Sequence, residues 1–390
     1  MYMTKQKILV LSLVVFLILL AITIRYMANP TTVGNQTTQG ASIQETANEE
    51  NTKGESTTME EPIQVIADRL EIPWEIAFLP DNSLLVTQRP GTLLHIQENS
   101  KQSIPVSGVE HIGEGGLLGV VLHPNYDENN WIYLYLTSET KSGLKNRVER
   151  YTLDERNNTL NNRVVIIENI PGAVFHDGGR MAFGPDGYLY ITTGDAGTSA
   201  SAQNTSTLAG KILRITDEGK AAPGNPFMNP VYSYGHRNPQ GIAWDSNGNL
   251  WETEHGPSGT TTGLDEVNLI EMGKNYGWPT ITGTKTKNGM VTPVLQSGSK
   301  TTWAPAGLAI HEDTLYFTGL RGEGLYSAKI SGKKLINFKK HFDKEFGRLR
   351  AVTVSPDKKW LYISTSNKDG RGAIKQNDDK VIKINFSVFQ

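Results

Sequence analysis

One pattern recurs along this chain and limits its possible folds more than any other feature. It is a small or apolar approach, a short apolar strand, a turn, and a second apolar strand. The pattern appears at Trp74–Thr87 (WEIAFLPDNSLLVT), Leu117–Leu136, Arg180–Thr193, Gln240–Glu254, Ala306–Thr318 and Leu349–Ser364. Six hairpins at intervals of roughly 45–65 residues are somewhat looser than well-known propeller repeats. The intervals leave space for two more strands per unit, and fragments supply them: Gly91–Ile96, Asn146–Leu153, Lys211–Thr216 and Gly324–Ile330. Helical apolar periodicity is lacking, which disfavours an α/β fold. Glycine, at 39 residues, provides for many turns. The reading is an all-β chain, a six-bladed β-propeller with four-stranded antiparallel blades. Two stacked β-sandwiches are the competing arrangement. The terminal strands Ile63–Ala67 and Lys380–Phe386 would close the ring and remove exposed strand edges.

The stretch ahead of the repeats concerns location. Lys5 and Lys7 precede an unbroken apolar run, Ile8–Ile24. A helix of that length spans about 26 Å, just enough for a bilayer core. The run is longer than a usual signal-peptide core, and Arg25-Tyr26-Met27-Ala28 makes a poor cleavage site. Residues 1–28 therefore read as an N-terminal membrane anchor or, if cleaved, a signal segment. Either way the rest lies outside the cytoplasm, anchored to the cell membrane or secreted; the lysines favour an inside N-terminus. Residues 29–61 are polar and read as a flexible linker. The propeller domain is 62–390.

Composition narrows the function. A net charge of -2, with no large basic block, argues against a nucleic-acid partner. The chain has no cysteine, so disulfides, thiolate ligands, a cysteine nucleophile and a lipoprotein anchor are all excluded.

A propeller carries function on the loops at one mouth of its channel, so chemistry should recur near the hairpin approaches. The most suggestive stretch is Phe175–Asp195, FHDGGRMAFGPDGYLYITTGD. Its hairpin, turning at Pro185-Asp186-Gly187, returns Asp195 towards His176. A carboxylate that orients an imidazole is the usual arrangement of a general base working near neutral pH. The pair also fits a turn residue and a loop cap. The other approaches and exits contribute Gly113-Glu114-Gly115-Gly116, His236-Arg237-Asn238-Pro239, His255-Gly256-Pro257, Trp303-Ala304-Pro305, Arg321, Arg348 and Arg350. Singly, each arginine reads as a solvated surface charge. Recurring at one structural position, they would form a ring able to hold a ligand with several carboxylates or phosphates.

The residues also match a known family. GEGGLLGVVLHPNY (Gly113–Tyr126), HDGGRMAFGPDGYLYITTGDAG (His176–Gly197), LAGKILRI (Leu208–Ile215), YGHRNPQGIAWD (Tyr234–Asp245), DEVNLIEMGKNYGWP (Asp265–Pro279) and GRLRAV (Gly347–Val352) follow that family's order. GHRNPQG and NLIEMGKNYGWP are the specific pieces. The chain resembles the soluble quinoprotein sugar dehydrogenases, the glucose/sorbosone dehydrogenase family that uses pyrroloquinoline quinone (PQQ). The resemblance implies PQQ over the channel mouth, its three carboxylates met by the arginines. It implies His176 as the base that takes the proton of the sugar's anomeric hydroxyl, and Asp195 as its orienter. Hydride would pass to PQQ, with Arg237 stabilising the growing negative charge. Calcium would be held by PQQ and the backbone carbonyls of Gly256 and Pro257. Asn238, Arg348 and Arg350 would touch the cofactor, with Arg321 standing where the family often has lysine. Trp303 would stack on its ring. Asp265 and Glu266 fall where the family holds structural calcium, while Trp278 and Pro279 read as packing. The partners implied are a small-molecule sugar and an external electron acceptor, since no haem-attachment motif exists here.

This chain departs from the family pattern at several positions. Glu114 stands where the family usually shows glutamine near the quinone, and an acid there would repel an anionic cofactor unless protonated or paired. Phe175 precedes the histidine where glucose-oxidising members carry aspartate. The loop Pro257–Asp265 is longer than the family's usual link. These changes bear on sugar choice and cofactor affinity, and resemble the broader aldose dehydrogenase branch. Glu114 also favours an alternative, a non-catalytic carbohydrate- or ligand-binding propeller. A propeller that hydrolyses lactones is a third option and would need calcium ligated by side chains deep in the channel.

Overall fold

The computed structural model describes residues 60–98, 100–257 and 263–390. The apolar run Ile8–Ile24, residues 29–59 of the expected linker and residues 258–262 of the long loop lie outside them. Among the described residues, no helix is long and apolar enough to cross a membrane.

Each recurring hairpin is the inner half of a four-stranded antiparallel sheet. After β1 (Ile63–Ala67), the first blade is β2 (Pro73–Phe78), β3 (Leu84–Gln88), β4 (Thr92–Gln97) and β5 (Ser100–Pro105). The second is β6 (Leu117–Leu122), β7 (Trp131–Thr140), β8 (Gly143–Asp154) and β9 (Thr159–Pro171). The third is β10 (Met181–Phe183), β11 (Leu189–Thr193), β12 (Lys211–Ile215) and β13 (Val231–Tyr234). The fourth is β14 (Pro239–Trp244), β15 (Leu250–Glu254), β16 (Glu266–Ile270) and β17 (Leu295–Gln296). The fifth is β18 (Pro305–His311), β19 (Thr314–Gly319), β20 (Gly324–Ser331) and β21 (Lys334–His341). The sixth is β22 (Leu349–Val354), β23 (Trp360–Thr365) and β24 (Val381–Asn385), completed by β1 from the other end of the domain.

The innermost strands β2, β6, β10, β14, β18 and β22 each touch the next, and β22 meets β2. The sheets therefore form a closed ring, the six-bladed β-propeller expected from the repeats. Ile63 pairs with Ile384 and Val65 with Ile382, so the two ends of the domain are zipped in one sheet. Closure of this kind leaves no central sheet edge unpaired.

The core is divided among the blade junctions. Trp74, Tyr133, Tyr135, Ile191 and Leu213 fill one cluster between the second and third blades. Leu85, Leu93, Leu117 and Leu134 fill another between the first and second. Four further clusters occupy the remaining junctions. A second strand such as β11, LYITT, is buried on both faces because a blade packs on each side of it. Each large apolar side chain fully buried in this way contributes roughly 1.5–3 kcal/mol. The outermost strands face water instead: β21 (KLINFKKH) is largely exposed.

Candidate active site

In every blade, the start of the innermost strand and the end of the second strand reach the same rim. The loops there carry Glu114 before β6, His176 before β10, Asp195 after β11 and Arg237 before β14. They also carry His255, Gly256 and Pro257 after β15, Arg321 after β19 and Arg348 before β22. These residues, except Asp195, line one cavity of about 620 Å³, together with Phe175, Asp265, Thr302, Ala304, Leu320 and Arg371.

The hairpin of the third blade brings its two ends together as expected. Gly179 N donates to Thr192 O, and Ala196 N donates to His176 O. Gly178 takes φ +66, where an added Cβ would meet the backbone of Thr192 and Thr193. A side chain at Gly194 would likewise run into the His176 carbonyl. His176 itself holds φ +64, a left-handed conformation uncommon for a residue with a side chain. Its N–H donates to Glu114 Oε2 at 3.1 Å, which fixes that backbone from the neighbouring blade.

The pair forms. His176 Nδ1 lies 2.7 Å from Asp195 Oδ1, with both side chains almost wholly buried. Gly197 N donates to the same oxygen at 2.8 Å, and Trp278 Nε1 donates to Oδ2 at 2.8 Å. Burial opposes the charged carboxylate, but the hydrogen bonds and charge of His176, with Trp278 and Gly197, hold Asp195 below its usual value. Nδ1 is thus committed as a donor, and Nε2 is the nitrogen left to accept a proton. Trp278 is therefore more than the packing residue expected. It fixes the orienting carboxylate, and the Arg237 guanidinium lies 5.4 Å from its ring.

The arginine ring is only partly as expected. Arg237, Arg321 and Arg348 line the cavity. Arg350 does not: it is buried one step further along its strand, donating to Gln240 Oε1 at 3.0 Å and lying over Trp74. Burial among the neighbouring arginines, Arg89 foremost, drives its pKa down to about 9. Arg348 is held by Asp369, whose Oδ2 accepts from Nε at 3.0 Å and Nη2 at 2.6 Å. Asn238 also stays out of the cavity lining. Its Oδ1 accepts from Gly178 N at 3.1 Å and its Nδ2 faces Glu114 Oε2 at 3.4 Å, so it braces the His176 turn. Trp303 is likewise not at the lining. Its ring packs against Phe317, Tyr326 and Phe338 in the junction of the fourth and fifth blades.

One residue of the site, Arg371, carried little sequence signal. Arg371, after β23, donates from Nη1 to Glu114 Oε1 at 2.8 Å. Although burial works against ionisation, His255, Arg371 and the His176 N–H hold Glu114 at about 2, so it stays charged and paired. His255 lines the cavity, and burial pushes its pKa down to about 4.

Asp265 and Glu266, adjacent in sequence, part company. Asp265 spends both oxygens on its surroundings: Oδ1 accepts from Gly256 N, and Oδ2 accepts from Thr302 Oγ1, Trp303 N and Ala304 N. That carboxylate clamps the loops at the mouth, with one hydrogen bond to Oδ1 and three to Oδ2. Glu266 turns instead towards Glu252, Glu254 and Asn268, paired across β15 and β16. His236, Glu252 and Glu254 bring ligand atoms within 4.8 Å of one another. Burial and then Glu254 raise the pKa of Glu266 to about 8, and Glu252 is raised well above its usual range for the same reasons. Glu252 Oε1 and Asn268 Oδ1 are buried without a hydrogen-bond partner.

The sequence comparisons bear on this rim directly. The family model described as Glucose / Sorbosone dehydrogenase matches residues 70–375, spanning every residue of the cavity. The chain belongs to the glucose/sorbosone dehydrogenase family. Among glucose/sorbosone dehydrogenase relatives, aldose sugar dehydrogenase YliI of Escherichia coli is 32% identical over 341 residues, covering 79% of this chain and 91% of the relative. Quinoprotein glucose dehydrogenase B of Acinetobacter calcoaceticus is 34% identical over 261 residues, covering 58% of this chain and 54% of the relative. The solved structure of the PQQ-bound aldose sugar dehydrogenase of Streptomyces coelicolor aligns with a TM-score of 0.78 at 39% identity, covering 83% of this chain and 97% of that one.

Proposed function

We propose that this chain is a PQQ- and calcium-dependent aldose dehydrogenase that oxidises a sugar at its anomeric carbon and passes the electrons to an external acceptor. The observation that carries the reading is the buried His176–Asp195 pair at the wall of a cavity bearing four guanidiniums, Arg237, Arg321, Arg348 and Arg371. A tricarboxylate suits that lining, because guanidinium forks match carboxylates in charge and geometry. Glu114, the residue that favoured a cofactor-free binding module, is neutralised by Arg371 and does not oppose an anion.

Bound PQQ would supply the hydride acceptor and take the C1 hydrogen as hydride while the sugar becomes its lactone. His176 Nε2 takes the proton of the anomeric hydroxyl as the C1–O bond gains double-bond character. Asp195 holds the imidazole in the required tautomer and stabilises the imidazolium that forms. Arg237, whose Nη1 approaches His255 O at 3.4 Å, would present positive charge to the quinone oxygen that gains charge when hydride adds to its carbon. Phe175, about half exposed beside the His176 ring, offers an apolar face to the sugar's C–H groups.

Gly256 and Pro257, both at the lining, would give backbone carbonyls to calcium beside the cofactor. A second calcium would sit at Glu252 and Glu254, whose ligand atoms lie together, with Glu266 paired beside them; it would satisfy the partnerless Glu252 and Asn268 oxygens and relieve the repulsion among the carboxylates. The same reading places the propeller outside the cytoplasm, held by the Ile8–Ile24 run.

Dye reduction with glucose or xylose, after incubation with PQQ and calcium, tests the function. Turnover that needs both PQQ and an aldose is the expected result. Absence of turnover with no quinone retained by the protein would overturn it.

A further inference from the structure

The cavity wall contains one ion pair that joins blades which are not neighbours. Glu114 stands before β6 in the second blade, and Arg371 follows β23 in the sixth, with the first blade between them. Their 2.8 Å contact therefore spans the rim. The Glu114 side chain is 15% exposed, whereas that of Arg371 is 58% exposed. Arg371 thus gives one N–H to Glu114 and keeps much of its guanidinium open to the cavity and solvent.

The loop that carries Arg371 organises charge at a second point. Asp369, two residues earlier, fixes the Arg348 guanidinium and also accepts from the Arg371 N–H at 3.0 Å. Lys368 Nζ ties the loop to the first blade through Leu70 O at 3.1 Å and Glu71 Oε1 at 2.7 Å. Arg371 is therefore delivered to the wall by an anchored loop and shares Asp369 as a partner with Arg348. Glu114, in turn, holds the backbone of His176 through the His176 N–H. An uncompensated carboxylate at that point would weaken the binding of any anion in the cavity.

We propose that Arg371 is a further anion-binding residue of this cavity, neutralising Glu114 in the wall and presenting its remaining N–H groups to a carboxylate of the bound cofactor. Glu114 and Arg371 act as one unit: the glutamate positions the guanidinium and the His176 backbone together, and the guanidinium cancels the charge that the glutamate introduces. The inference rests on the PQQ reading above and adds this residue to it.

The test is a binding titration that needs no turnover. The full chain, freed of cofactor, is titrated with PQQ in the presence of calcium, following fluorescence quenching and the quinone absorbance retained after gel filtration. Arg371→Gln is expected to weaken PQQ binding roughly 30–300-fold, since it removes a cation and uncovers Glu114. Glu114→Gln loses the charge but keeps an oxygen that can accept from Arg371 or the His176 N–H, and is expected to bind PQQ at least as tightly as the wild type. Arg371→Gln combined with Glu114→Gln recovers about tenfold or more over Arg371→Gln, because the exposed charge is gone. Arg371→Lys keeps the charge and stays within about tenfold of the wild type, which guards against a folding defect in the glutamine variant. Wild-type and Arg371→Gln affinities within about threefold, or a double variant no tighter than Arg371→Gln, overturn the proposal while leaving the PQQ reading in place. A wild-type protein that retains no quinone overturns that reading and this one with it.

Discussion

Trp278 Nε1 donates to Asp195 Oδ2 at 2.8 Å, across 83 residues of chain and from a different blade. The bond leaves Asp195 Oδ1 for His176 and sets the direction in which the imidazole is held. Phenylalanine at 278 keeps the ring and removes the donor. Trp278→Phe is expected to lower kcat about tenfold, the effect of one hydrogen bond to a charged group, with little change in the melting temperature. Steady-state kinetics beside a thermal melt checks it; unchanged kcat would return Trp278 to packing.

The proton-transfer step falls on His176. His176→Ala is expected to cut kcat by roughly 10²–10⁴ while the variant still binds PQQ. Asp195→Asn is expected to fall in the same range, since an amide no longer stabilises the imidazolium. Turnover close to wild type in either variant would remove that residue from the mechanism.

Phe175 is expected to act on the sugar and not on the cofactor. Its ring centroid lies 4.9 Å from that of His176, and 46% of the residue is exposed. Phe175→Ala is expected to raise the aldose KM about 2–10-fold, the range of an aromatic contact, while kcat and PQQ affinity stay near wild type. An unchanged KM for every sugar tried would show that the ring faces no substrate.

The buried carboxylates predict a linked effect of pH and calcium. Burial and Glu254 raise Glu266 to about 8 in the folded chain, against an unfolded carboxylate near its usual value. Its stabilising protonation is fully present below the unfolded pKa and is lost as pH rises through about 8. A divalent cation takes the place of the proton, so calcium should raise the melting temperature more at pH 8 than at pH 5. Calorimetry with calcium and with a chelator, at both values, measures this. Equal melting temperatures with and without calcium at pH 8 would contradict the second calcium site.

The ring of blades was legible because inner strands are buried on both faces and read as apolar runs. The outer strands were not. β5 (SKQSIP) and β21 (KLINFKKH) are mostly exposed, so no core face imposes a pattern on them. The His176–Asp195 pairing was legible because a tight hairpin fixes the distance between its ends. Arg348 and Arg350 show where such reasoning stops: one lines the cavity and the other, two residues on, is buried against Gln240. Trp303 looked like a ring-stacking residue but satisfies the fifth blade's aromatic cluster. Arg371 and Trp278 sit on loops far in sequence from the residues they hold, and only the closed ring brings them to the rim. Asp265 and Glu266 are adjacent in sequence but meet different partners, Asp265 the loops at the mouth and Glu266 the carboxylates across β15 and β16.

In the proposed reaction His176 takes the hydroxyl proton while a sugar's C1 hydride passes to a quinone held over this rim. Anaerobic mixing of the PQQ-loaded protein with an excess of aldose, following quinone absorbance through a single turnover, tests it most directly. Loss of the oxidised-quinone absorbance with one equivalent of lactone per bound PQQ is expected, at a rate lower by roughly 10²–10⁴ in His176→Ala. Quinone that stays oxidised in the loaded wild type, or is reduced equally fast in His176→Ala, would contradict it.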